Sequence, residues 1–230
     1  MSNTLIPRQC ESCGKIVFPK NGMFFEENRF ICNKCLETEV NERNIKDVVC
    51  DVIHLLNSVG FEDIIYDNFE CKLVTKTKMR QLYPYGYVVG LHTIDTYSVS
   101  ERGIKDLKET IYVLNHLTEI IFREVIAHEI LHSWQTRNYL NERFANDEES
   151  QKRVEGFAQM GSFLVFKDLL NHRRSKYVEE KIKSILECDD PYYGKAFKSI
   201  FQQFQSYPGN ELQKWHYIIK CARKNKLNVE

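Results

Sequence analysis

Residues 117–138 read LTEIIFREVIAHEILHSWQTRN, and this stretch decides the fold. Leu117, Ile120, Ile121, Val125, Ile130, Leu131 and Trp134 recur mostly at steps of three and four, with no Gly or Pro among them. That spacing predicts an amphipathic, largely buried helix. Positions i and i+4 of a helix lie one above the other on the same face. His128 and His132 can therefore aim two imidazoles at one point, as a first-row metal ion requires. Glu129, one position round, can reach a water on such an ion without displacing it. On so apolar a helix, two imidazoles and a carboxylate would be costly without partners.

This is the HExxH pattern of zinc hydrolases, two ligands plus a general base. A catalytic zinc needs a third protein ligand and keeps one position open. The best candidate is Glu155, 23 positions after His132, in the segment RVEGFA. Apart from Arg153 its neighbours are apolar, so the carboxylate calls for a partner. Gly156 beside it would let this second helix come close to the first. In the alternative, Glu155 pairs with Arg153 or faces water. His172 is a weaker ligand candidate, and Glu148 and Glu149 read as solvent-facing residues at a helix start.

Residues 10–35 read CESCGKIVFPKNGMFFEENRFICNKC. Cys10 and Cys13 form one CxxC pair, Cys32 and Cys35 a second, with 18 residues between the pairs. Each pair grips an ion from one tight knuckle, and two knuckles complete a closed, structural four-thiolate zinc site. Gly14 permits the sharp turn after the first pair. Short strands are expected over Lys15–Phe18 and Met23–Ile31, around a turn at Pro19–Gly22. A segment this small lacks a core of its own, which favours a structural metal over free thiols. Cys50, Cys71, Cys188 and Cys221 are single and scattered, and Cys50 and Cys221 read as small buried hydrophobes. The knuckle–hairpin–knuckle resembles a zinc ribbon or one zinc-binding half of a LIM domain, which implies a protein partner or docking onto the neighbouring domain. Glu11, Glu26, Glu27, Glu37 and Glu39 balance its basic residues and argue against nucleic acid as a partner.

With 230 residues, 43% apolar and 28% charged, the chain has the composition of a globular protein with one good-sized domain and a small appendage. Its formal net charge is zero, so capture of nucleic acid or an anionic membrane is not expected. MSNTLIPRQC lacks the apolar core of a signal peptide, and no run of 18 apolar residues follows, so a cytoplasmic location off the membrane is expected. The expected division is residues 1–40 as the four-cysteine module and 41–230 as the second domain. In the latter, a helix over Asn44–Ser58, with His54 structural or solvated, precedes strands over Phe61–Tyr66, Cys71–Met79 and Tyr85–Val99. A polar connection over Ile104–Glu109 leads to a short strand at Thr110–Leu114. After the 117–138 helix and an acidic linker at Asn141–Ser150, helices are expected over 149–170, Arg174–Leu186, Tyr192–Gln205 and Asn210–Lys224. The class is α+β.

HExxH followed after a spacer by Glu on a later helix is the gluzincin arrangement. TIYVLNHLTEIIFREVIAHEILHSW followed by RVEGFAQMGSFLVF is similar to the peptidase domain of plant LIM-linked, ubiquitin-activated growth regulators (DA-one-like peptidases). The resemblance covers residues 85–170, and the four-cysteine module echoes the family's architecture in kind. One zinc module stands here in place of a full LIM domain, and no acidic ubiquitin-interacting helix is visible. The resemblance implies a zincin-like fold, with a small mixed or antiparallel sheet, the HExxH helix and C-terminal helices. It implies zinc on His128, His132 and Glu155, Glu129 as general base, and a protein or peptide substrate, with a link to the ubiquitin pathway. With the Cys10, Cys13, Cys32 and Cys35 site this makes two zinc ions per chain. Tyr139, His172, Tyr177 and His216 are candidate oxyanion donors, and Val88–Thr93 is the expected edge for an extended substrate. Two other readings stand beside the peptidase. One is a repressor-cleaving HExxH peptidase, the other a non-enzymatic adaptor in which the helix site only staples two helices.

Overall fold

The computed structural model describes residues 6–100, 103–143, 147–172 and 175–229, leaving out the side chains of 27, 99, 100, 103–105 and 139–143. The chain opens with strands β1 (Arg8–Gln9), β2 (Ile16–Val17), β3 (Gly22–Phe24) and β4 (Phe30–Cys32), then the helical turn α1 (Asn33–Leu36). β1 pairs with β2 and β3 with β4, both antiparallel. The strand expected over Met23–Ile31 is thus two strands, folded back through a 3-10 turn at Glu26–Asn28. Asn28 takes a φ of 60°, which Asn tolerates, and Phe25 N–H donates to Arg29 O at 2.8 Å to close the reversal. Pro19–Asn21 also turns, as expected.

Next come α2 (Ile45–Ser58), β5 (Glu70–Val74), α3 (Lys76–Leu82), β6 (Gly90–Ser100) and β7 (Gly103–Leu114). Phe61–Tyr66 forms no strand; it is a turn that buries Phe61, with a 3-10 turn at Tyr66–Asn68 after it. The strand expected over Cys71–Met79 stops at Val74. Thr75 Oγ1 accepts from Lys78 N–H at 3.1 Å and caps α3 instead. In the three-stranded sheet β7 is central, parallel to β5 and antiparallel to β6. The polar connection expected over Ile104–Glu109 is part of β7, paired with β6 from Gly90↔Val113 out to Ser100↔Gly103. Residues 95–98 opposite are exposed, so this arm lacks the apolar alternation by which a half-buried strand is recognised.

The remaining helices are α4 (Glu119–Arg143), α5 (Glu148–His172), α6 (Lys176–Glu187), α7 (Ala196–Ser206) and α8 (Glu211–Arg223), with a π-turn over Pro191–Lys195 before α7. Residues 144–146 of the expected linker, and Arg174 of the expected helix, lie outside the described residues. α8 starts with a reciprocal Asn210–Gln213 capping box. α4 runs through the middle, packed by α2, α5 and the β6–β7 hairpin. Trp134, on α4, meets Phe61 edge-on at 5.1 Å and lies beside Phe157, while Trp215 closes the cluster. Gly161, rather than Gly156, allows the close α4–α5 approach: a Cβ there would lie 2.9 Å from Ala127 O. Gly156 makes room for α7, where a Cβ would lie 2.8 Å from backbone atoms of Ala196. Cys50 and Cys221 are only half-buried, because each lies at the margin of its helix's apolar face. The whole is a mixed α+β protein with small sheets and a four-cysteine cluster near the N-terminus. No helix among the described residues is long and apolar enough to cross a membrane.

The cysteine segment is packed onto the entrance of α4. The backbone of residues 38–40 lies along 117–119: Val40 N–H donates to Leu117 O at 3.0 Å, and Glu119 N–H to Thr38 O at 2.7 Å. Arg29 is buried and donates to Glu11 Oε2 (2.5 Å), Asn115 Oδ1 (2.7 Å) and Asn115 O (2.9 Å). Thr118 N–H donates to Ser12 Oγ at 3.1 Å, so the first CxxC knuckle itself satisfies an amide at the helix start. Phe25 stacks on His116 at 3.7 Å.

Candidate functional site

One turn of α4 separates His128 from His132, and α5 crosses α4 beside it. The crossing brings Glu155 to both imidazoles. His128 Nε2 and His132 Nε2 are 3.1 Å apart, and Glu155 Oε2 is 3.3 Å from each. A tetrahedral ion with bonds of about 2.0–2.1 Å needs donor atoms about 3.3–3.4 Å apart, so three donors in this triangle fit one ion. His132 is oriented from behind. Its Nδ1–H faces Gln135 Oε1 at 2.8 Å, and Gln135 Nε2 in turn donates to Val154 O at 2.8 Å. This chain leaves the His132 Nε2 lone pair pointing at the triangle.

The charges also call for a cation. Burial alone would lower the pKa of His128, but its contact with Glu155 and the charges of Glu129, Glu155 and Glu124 raise it. Burial would raise that of Glu155, but His132 and His128 outweigh it and hold the carboxyl well below its usual range. Arg153, the alternative partner, pairs with Glu149 and Ser150. Removing the support behind His132 has a measurable cost: Gln135→Leu is expected to weaken metal binding at this site by about 10- to 100-fold. Competition against a chromophoric chelator measures it, and unchanged affinity would mean that the ring is held by packing alone.

The four cysteines make the second group that could hold a metal. Cys10 Sγ lies 3.7 Å from Cys35 Sγ, and Cys13 Sγ lies 3.9 Å from Cys32 Sγ. Sulfur ligands at about 2.3 Å on a tetrahedral ion would be about 3.8 Å apart. Cys32 N–H donates to Cys10 Sγ at 3.3 Å. Burial opposes ionisation of Cys10, yet backbone amides of Cys32, Cys13 and Ser12 outweigh it and lower its pKa. Burial pushes Cys13 and Cys35 up. Only a cation would let all four ionise together.

A cleft of about 460 Å³ opens at His128 and Glu129. Val88–Gly90 form one rim, and Glu11, Ser12 and Arg29 of the cysteine segment form part of the wall. Among the described residues β6 pairs with β7 alone, so its other edge has no strand partner. Gly90 presses against Glu129: a Cβ there would lie 2.6 Å from Glu129 Oε1. Of the candidate oxyanion donors, none of the described ones lines this cleft. His172 is exposed at the end of α5, His216 is exposed on α8, and Tyr177 turns its hydroxyl to Ser12 O at 3.5 Å. The side chain of Tyr139 lies outside the described residues.

A different tyrosine, Tyr193, does line the cleft, with its ring 5.9 Å from that of His128. Asp190 caps the turn by accepting from the amides of Tyr192 and Tyr193, both at 2.9 Å. Gly194 then seats the turn on Cys188, whose carbonyl oxygen would lie 2.2 Å from a Cβ. Burial, then the charges of Glu155 and Glu129, raise the Tyr193 pKa and keep its hydroxyl a donor. The one sequence signal for it is the Asp190-Pro191-Tyr192-Tyr193-Gly194 turn. No protein-family model matches this chain, and no curated protein or solved structure matches it either.

Proposed function

We propose that this chain is a zinc-dependent peptidase of the HExxH, gluzincin type, acting on protein or peptide substrates. The observation that carries the reading is the set of three donors converging beside Glu129 in an open cleft. A zinc ion on His128, His132 and Glu155 would supply Lewis acidity, acidifying water and polarising a peptide carbonyl. Glu129, which lines the cleft beside His128, would take a proton from the attacking water and return it to the leaving amine. The Tyr193 hydroxyl would donate to the oxygen on which negative charge develops, a role supported by its position in the lining of the cleft. The open edge of β6, from Gly90 towards Thr93, offers backbone groups to an extended substrate. Zinc at Cys10, Cys13, Cys32 and Cys35 is closed to substrate, and its part is to hold the cleft wall.

Metal analysis and digestion of a peptide mixture test the reading together. Two zinc ions per chain are expected, one lost in His128→Ala and the other in Cys10→Ser, with peptide cleavage abolished by chelation. Zinc retained in full by His128→Ala would remove the foundation. Zinc at both sites with no cleavage of any peptide would instead favour the adaptor reading. Gly90 gives a further test. Gly90→Val forces atoms against Glu129 and Val125 and is expected to lower kcat/KM about 100-fold with the metal content kept, since misplacement of about 1 Å costs this much. Wild-type kinetics in Gly90→Val would show that this rim plays no part in positioning.

A further inference from the structure

The cleft has a side pocket of about 200 Å³, and the two share Glu124, Gln159, Lys181 and Tyr193. Glu124 stands one turn before His128 on α4, on the same face, so the pocket adjoins the reacting centre. Phe166 of α5 and Ile185 of α6 give it an apolar floor. Among the described residues the Glu124 carboxylate makes no hydrogen bond or ion pair, although its own backbone carbonyl accepts from Ser162 Oγ at 3.4 Å. Among the described residues, the Lys181 ammonium meets only the ring of Tyr177, at 5.6 Å. Burial raises the Glu124 pKa, and the charges of Lys181 and His128 oppose this only in part.

An acidic and a basic group thus frame one pocket without pairing with each other. A cationic side chain entering it would gain from Glu124 and lose to Lys181, and an anionic one the reverse, while each gives up its hydration. A primary amide meets both groups, donating N–H to the carboxylate and accepting from the ammonium. Its methylene stem covers the apolar floor, and Gln159 adds a third polar partner. We propose that the pocket framed by Glu124 and Lys181 is a specificity subsite for a primary-amide side chain, Gln or Asn, next to the scissile bond. This rests on the peptidase reading above.

The test uses the zinc-loaded full chain on a peptide mixture, with cleavage sites read by mass spectrometry. Wild type is expected to favour Gln or Asn at one position about tenfold over Lys and over Glu. Lys181→Glu should turn that preference to Lys and Arg, and Glu124→Gln should turn it to Asp and Glu. Lys181 is partly exposed, so its variant bears on the subsite even if Glu124→Gln folds poorly. Cleavage by both variants with the wild-type preference overturns the subsite and leaves the peptidase standing. Absence of any cleavage beyond that seen with Glu129→Gln overturns both.

Discussion

Glu129→Gln is expected to lower peptide hydrolysis by about 10²–10⁴-fold while both metals stay bound. The change keeps the volume of a side chain packed against Gly90, and it leaves the three converging donors intact. It removes the proton acceptor together with the negative charge that acts on His128 and Tyr193. A thousandfold loss corresponds to about 4 kcal/mol of transition-state stabilisation, the size expected of a positioned general base. The measurements are kcat/KM on a peptide cleaved by wild type, and zinc per chain. A turnover within a few fold of wild type would move the base elsewhere and sink the mechanism. Loss of zinc along with activity would instead make Glu129 part of the metal's support.

Cys32→Ser is expected to have the largest effect on the fold. It removes one thiolate and the anchor of β4, and it opens a tetrahedral site whose formation in small zinc modules contributes on the order of 10–16 kcal/mol. Among the described side chains of residues 8–36, the buried hydrophobic ones are Phe30 and Ile31 with Cys10, Cys32 and Cys35, too few to fold without the ion. One zinc per chain should be lost, amide exchange over this segment should rise to near that of unfolded chain, and peptide hydrolysis should fall at least tenfold. The last follows from the cleft, whose wall includes Glu11, Ser12 and Arg29. Exchange protection kept in the substituted protein would show that docking onto α4 suffices without metal.

The site was more legible than the fold around it. The i, i+4 histidines, the Glu155 carboxylate on an apolar helix and the paired CxxC knuckles each follow from chemistry that residue types and spacing express directly. The fold class and the helices after α4 followed from apolar periodicity. What the sequence concealed depends on partners remote along the chain. The outer part of β7, Ile104–Glu109, reads as a polar connection, because residues 95–98 of β6 opposite it are exposed and no core marks the pairing. Thr75 caps a helix in a stretch whose composition also suits a strand. Tyr193 reaches His128 only because Gly194 seats its turn on Cys188. Gly156 and Gly161 are alike in sequence, and only the packing tells which one faces α4.

The contact between the first knuckle and the start of α4 also has a consequence in time. Ser12 bonds with Thr118, 106 positions onward, and accepts from Tyr177, 165 positions onward. Contacts this far apart in sequence close late, because the loop entropy is lost before they form. During synthesis the four cysteines emerge long before α4 exists, so they can take up their ion while the rest of the chain is still being made. Refolding with zinc present should therefore show a fast phase in a probe on the cysteine segment and a slower one in cleft formation. The cleft would be assembled last, when a metal-loaded N-terminus docks on the finished helix, and the protein would have no competent site until its final folding step.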